Sequence, residues 1–284
     1  MGKSTQPVKV LRHFPLIPRL QRLYRIPSIS KMMTWTADNK SEDGLQRHIG
    51  DSHHWRFIDE KWPDFGAENR NVRFGLSLDG VNPFGDKNNN YSCWPVTLLN
   101  YNLPPWMTTK RFFVLLSLLI PGPESAMSAN IDVFLAPAVE EWATLWSPGV
   151  LTHDSMRGSG RQSPFTLRAM CVLSIADYPA HGMIAGQVVR GYKGCTRCGP
   201  DVDATWSGPL KKIIYQGHRR YLPLDHPFRH RPSQIAHFNN KRERRPPQRF
   251  WAEMTCLFVP IIRCDMIEKG RQQVCHWIQH RLMA

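Results

Sequence analysis

Two acids close apolar runs in this chain, each at a turn signal. Asp79 follows the alternating run 72–78 and precedes Gly80. Asp177 follows the apolar run 167–176 and precedes Tyr178-Pro179. A rigid sheet aims a carboxylate placed at the C-terminal end of a strand, and carboxylate oxygens are the natural ligands of Mg2+. Two such acids on neighbouring strands can hold a pair of Mg2+ ions, which activate a water or a 3′-hydroxyl and stabilise the leaving oxygen in phosphodiester transfer. The plainer alternative is that each acid merely starts a turn. On the residues alone both readings stay open.

A second constellation lies further along. Cys195-Thr196-Arg197-Cys198 is a C-x2-C pair, and His218 and His226 follow it. Two thiolates on a tight turn and two imidazoles can complete a tetrahedral Zn2+ site. The histidine spacing is wider than that of a common zinc finger. The alternative is two unpaired thiols and two surface histidines.

These residues need elements to hold them. Val72, Phe74, Leu76 and Leu78 alternate with Arg73, Gly75, Ser77 and Asp79. That period of two predicts a strand with one apolar face. Gly80 ends it and Asn82-Pro83 begins a turn. Tyr91 to Leu99 predicts a second strand. Phe112 to Ile120 is continuously apolar, as for a strand buried on both faces. Ile131, Phe134, Leu135, Ala138, Trp142 and Leu145 recur at helical spacing, with Asn130 as the expected cap and Pro137 as the expected kink or break. Phe165 to Ala176 reads equally as strand or helix. This order predicts a mixed α/β domain. Four regions follow: an irregular or helical lead-in (1–70), a core (71–185), a Cys/His-rich basic insertion (186–250) and a tail (251–284).

Hydrophobic residues make up 42% of the 284 and charged residues 21%, which places the chain with globular rather than disordered proteins. The net charge of +14 is clustered: residues 1–26 carry +6, residues 207–250 carry +9 and the remainder −1. Such segments suit phosphate backbones, so DNA is the expected partner. Lys241-Arg242-Glu243-Arg244-Arg245 suits a nuclear import signal or a DNA contact, which points to the nucleus. The longest apolar stretch is too short to span a bilayer, so no membrane association is expected. The seven cysteines, with no secretory signal in view, fit a reducing compartment.

Whole phrases of the chain resemble the Tnp2 transposases of plant CACTA (En/Spm) transposons. They include Ser30-Lys31-Met32-Met33-Thr34-Trp35, Asp79-Gly80-Val81-Asn82-Pro83-Phe84-Gly85 and Tyr101-Asn102-Leu103-Pro104-Pro105-Trp106-Met107. Later come Leu116-Ser117-Leu118-Leu119-Ile120-Pro121-Gly122-Pro123, Asp177-Tyr178-Pro179-Ala180 and a block from Gly217 to Pro227. The resemblance implies an RNase-H-like mixed sheet with flanking helices and a Cys/His-rich insertion. It also implies a triad of acids binding Mg2+ or Mn2+, and a homo-oligomer that pairs two DNA ends. Asp79 is then the first acid and Asp177 the second, with Asp132 its rival. Zn2+ in the insertion gains support. Glu268, in Asp265-Met266-Ile267-Glu268-Lys269, is the candidate third acid, although this phrase is shorter than the family's. The short phrase and the end at Ala284 predict a truncated chain that does not transpose by itself. A domesticated DNA-binding protein without catalysis and a transposon remnant without function are the competing expectations.

Overall fold

A computed structural model describes residues 9–41, 43–85, 91–122, 127–156, 163–184, 191–194, 202, 204–215 and 225–227. The main sheet grows from the predicted alternating run, β2 (Val72–Leu78), which pairs antiparallel with β3 (Cys93–Asn100). Next to β3 runs β4 (Val114–Pro121), again antiparallel, and the short β1 (Arg12–His13) closes that edge. The chain then enters α7 (Met127–Trp146) and the hairpin β5 (Val150–Asp154) and β6 (Ser163–Leu167). It returns as β7 (Ala169–Ile175), parallel to β2. The result is a mixed five-stranded sheet in the order β1-β4-β3-β2-β7. After β7 come α8 (Tyr178–Ile184) and a separate hairpin of β8 (Ala204–Ser207) and β9 (Lys212–Tyr215).

Helices cover both faces of the sheet. On one, Leu135, Ala138 and Trp142 of α7 pack with Val72, Phe74, Leu76 and Leu78, and the Trp142 ring lies 5.6 Å from that of Phe74. The same cluster takes in Leu16, Leu20, Tyr24 and Met33 from the N-terminal helices α1 (Ile17–Arg25), α2 (Pro27–Ser30) and α3 (Trp35–Asp38) and their connections. Glu141 of α7 ties this layer down. Its two carboxylate oxygens accept the backbone N–H groups of Leu16 and Ile17 at 2.7 and 2.8 Å, donors that the first turn of α1 leaves without helical partners.

The opposite face is covered by α4 (His53–Lys61) and α5 (Pro63–Gly66). The alternation in β2 leads one to expect a solvated second face. Instead Arg73 is buried there, its guanidinium 4.1 Å from the centre of the Trp55 ring and ion-paired with Asp59. Burial pushes the Arg73 pKa down to about 10, against the pull of Asp59, so it stays charged at neutral pH.

Other expectations are corrected. β4 alternates between buried and half-buried residues rather than lying buried on both faces, and Phe112 stands outside it in solvent. The turn before β4 supplies two residues of the apolar run, which the run itself cannot reveal. α7 begins at Met127, so Asn130 sits in its first turn and is not its cap. Pro137 does not split this helix, which runs on through it. The carbonyl it deprives of a partner belongs to Val133, on the exposed side, where water can satisfy it. Phe165 to Ala176 resolves into parts of two strands, β6 and β7, meeting at Arg168.

Candidate functional site

The two acids at the ends of apolar runs sit at one edge of the sheet. Asp79 follows the last residue of β2, and Asp177 lies two residues past the end of β7. β2 and β7 are adjacent and parallel, and their last pair is Ser77 with Ile175. Two residues beyond that pair on each strand stand Asp79 and Asp177. Neighbouring strand backbones run about 4.8 Å apart, so the acids leave the sheet side by side.

An irregularity in β7 sets this alignment. Up to Phe74↔Cys171 the partners differ by 97 in number, and from Gly75↔Leu173 onward by 98. Val172 is the extra residue, a one-residue bulge. Bulging puts Val172 and the following Leu173 on the same face, toward Ile58 and Phe65 of the α4–α5 layer. Beyond it the alternation is inverted. Cys171 faces the α7 core before the bulge, and Ala176 faces it after. By the same alternation Asp177 falls on the α4–α5 side. Asp79 falls there too, because Val72, Phe74, Leu76 and Leu78 take the α7 side. Without the bulge Asp177 would turn to the other face, since a slip of one residue flips every side chain.

Two features hold the bulge. His54 of α4 donates its Nε2–H to the Val172 carbonyl at 2.8 Å. Burial is the main influence on His54 and lowers its pKa, so the ring is neutral at pH 7; the acceptor being a carbonyl, the proton sits on Nε2. Opposite the bulge stands Gly75, where a Cβ would lie 2.7 Å from the Tyr101 ring and 3.1 Å from Leu173. Only glycine leaves room there for Leu173 to fold across β2. The neighbouring Cys171 thiol is fully buried, which pushes its pKa far above the ordinary thiol range and leaves it unreactive.

Each acid also does local work. Asp79 Oδ1 accepts the N–H of Gly80 at 2.7 Å. Asp177 Oδ1 accepts the N–H of Ala180 at 2.8 Å, which makes Asp177 the N-cap of α8. Among the described residues the Oδ2 atoms of both acids take no hydrogen bond and remain available to a cation. Gly80 lies against the Trp94 indole, where a Cβ would meet the ring at 3.1 Å. Both carboxylates are exposed.

Asp132 lies near the start of α7, the helix on the other face of the sheet. Asp79 and Asp177 follow the ends of adjacent strands, whereas Asp132 is carried by a helix. Of the proposed zinc ligands only His226 is among the described residues, and it is half-buried. Cys195, Cys198, His218 and Glu268 lie outside them. Among the described residues no group of three or more His, Cys, Asp or Glu gathers into a metal cage, and no helix is long and apolar enough to cross a membrane. Sequence reasoning missed Val172, His54 and Gly75, the residues that set the phase of the strand.

Residues 43–257 match a family model described as "Transposase family tnp2". The match covers the sheet from β2 to β7, both acids and the β8–β9 hairpin. A search of curated proteins gave no match.

Proposed function

The chain belongs to the tnp2 transposase family, and from that premise we propose that it derives from an enzyme that cuts and rejoins DNA at transposon ends, with Asp79 and Asp177 as two of its metal-binding acids. The observation that carries this reading is the bulge-set register. It brings two carboxylates, distant in sequence, to the same side of adjacent parallel strand ends. Two neighbouring like charges with free oxygens fit a hard divalent cation, so the donor set suits Mg2+ or Mn2+. Such an ion, when bound, would neutralise charge on the scissile phosphate and lower the pKa of an attacking water or 3′-hydroxyl.

The chain's own residues perform the positioning. Asp79 is fixed by β2 and by its bond to the Gly80 N–H, and Asp177 by β7 and by its cap on α8. Each thus presents Oδ2 from a held backbone, the preorganisation on which phosphoryl transfer depends. Glu268 is the proposed third acid.

The element order further supports an RNase-H-like core. Three antiparallel strands are followed by a crossover helix and a strand that returns parallel beside the first. We assign the parent element to the plant CACTA (En/Spm) type on the phrases quoted above, and we place the protein in the nucleus on its basic clusters. Cys195, Cys198, His218 and His226 are proposed to bind one Zn2+ in the basic insertion. A homo-oligomer is proposed because two DNA ends must be paired.

The test is a nicking assay on supercoiled plasmid carrying candidate terminal repeats, with Mg2+ or Mn2+. Cleavage by the native protein that Asp79→Ala abolishes supports the enzyme. Salt-dependent DNA binding without any metal-dependent cleavage points instead to a DNA-binding protein that no longer catalyses.

A further inference from the structure

The phrase Tyr101-Asn102-Leu103-Pro104-Pro105-Trp106-Met107 has no part in the carboxylate edge. It opens the connection between β3 and β4, which contains α6 (Pro105–Thr108). Strand polarity puts this connection at the other end of the sheet. Asn100 pairs with Phe74, near the start of β2, while Asp79 lies past its end. At about 3.3 Å per residue the two ends are on the order of 20 Å apart.

The connection is rigid. Asn102 is buried; its Oδ1 accepts the Arg73 N–H at 2.8 Å and its Nδ2 donates to the Asn71 carbonyl at 2.9 Å. Leu103 is fully buried, and the buried Thr108 hydroxyl lies within 3.1 Å of the Leu103 and Pro104 carbonyls. The Lys110 carbonyl accepts the N–H groups of Phe113 and Val114 at 2.8 and 3.2 Å.

From this frame large side chains project into solvent. Phe112 is 90% exposed and Trp106 58% exposed. The Trp106 ring meets Trp35 edge-on at 5.3 Å, which fixes it on one side and leaves the rest open. Between them lie the exposed Lys110 and Arg111, and among the described residues neither forms an ion pair. Residues 101–123 contain no acid at all. Asp38, in α3 beside Trp35, accepts the Thr34 hydroxyl at 2.7 Å.

We propose that Trp106, Lys110, Arg111 and Phe112 form a second nucleic-acid contact, one that holds single-stranded DNA away from the carboxylate edge. Exposed rings on a held backbone stack on unpaired bases, and cations between them meet the phosphates. Because the frame is already ordered, little entropy is lost on binding. A lipid surface fits less well. Membrane-lying segments present a continuous apolar helix face, whereas here Thr109, Lys110 and Arg111 stand between the two rings. Only the nature of the partner, DNA, is taken from the family, and the proposal does not require that the carboxylates catalyse.

The experiment uses the full chain and a short fluorescent oligo-dT, with binding read by anisotropy across a salt series. Phe112→Leu, which keeps an apolar side chain but removes the ring, is expected to weaken binding about tenfold, while Phe112→Trp restores it. The double change Lys110→Gln with Arg111→Gln should reduce the slope of log affinity against log salt by about 1.4, the value for two single-strand phosphates. Both sites are exposed, so thermal unfolding midpoints should match the native protein; Trp106→Ala serves as a further variant if one of them does not fold. Native affinity and salt slope in all folded variants overturn the proposal. So does a loss of binding to phosphatidylserine vesicles with oligo-dT binding intact, which would make the surface a lipid contact. Nicking is read separately, so failure of the carboxylate reading leaves these outcomes unchanged.

Discussion

Removing one residue beyond the bulge tests the register argument where it is most exposed. Deleting Ser174 keeps the extra residue Val172 but shortens the segment that follows it by one. Asp177 then stands beside Leu78 instead of Asp79, about 3.3 Å back along the strand, and turns toward α7. Ions of this kind bind oxygens at about 2 Å, so a carboxylate on the wrong face cannot reach a shared ion. Mn2+ affinity, measured by titration calorimetry, should fall about tenfold or more, as for Asp177→Asn. Val172→Ala is the control. It keeps the bulge and the His54 bond and loses only two buried methyl groups, at about 2 kcal/mol of stability. It should bind Mn2+ normally. A compensating alanine inserted between Ala176 and Asp177 should restore binding to the deletion protein. If the protein lacking Ser174 folds cooperatively and binds Mn2+ as tightly as the native one, the register beyond the bulge does not align the acids and the reasoning fails.

Three further outcomes are expected. Glu141→Gln can satisfy only one of the two N–H groups at the start of α1 and loses the charge, so chemical denaturation should show a loss of about 1–3 kcal/mol; an unchanged midpoint would mean that the cap is idle. The Asp51 carboxylate accepts the N–H groups of Ser41, His48 and Arg47, which hold its pKa down to about 2. Because that value is depressed, the stability it contributes is present above the unfolded value near 4 and is lost as pH falls toward 2. Asp51→Asn should therefore cost at most about 2 kcal/mol at pH 7, and its unfolding midpoint should converge with that of the native protein between pH 4 and 2; a gap independent of pH would contradict this. Protein purified without chelators should carry near-stoichiometric zinc that Cys198→Ser loses; absence of zinc from the native protein would remove that site.

The strands and the long helix are legible because burial imposes a period. Val72 to Leu78 alternates, and Ile131 to Leu145 repeats at helical steps, so β2 and α7 follow from local sequence. The two acids are legible as strand-end residues for the same reason. Their convergence is not. It depends on Val172, an ordinary β-branched residue in an apolar run, and the bulge exists only in relation to the paired strand. Phe165 to Ala176 resists assignment because it merges parts of two strands from different sheets, whose periods interrupt each other at Arg168. Arg73 reads as the solvent face of β2, and only the separate α4–α5 layer with Asp59 and Trp55 explains a buried cation there. Phe112 fails in the opposite direction. It belongs to an apolar run yet stands in solvent, because the turn that precedes β4 is fixed by Asn102 and Thr108 rather than by the run itself.

The most direct measurement is the anomalous scattering of Mn2+ in crystals of the protein grown or soaked with that ion. The account predicts a peak at the sheet edge within about 2 Å of a carboxylate oxygen from Asp79 and of one from Asp177 together. Density for Mn2+ bound elsewhere with none between these two acids, or a structure in which they point to opposite faces of the sheet, would contradict it.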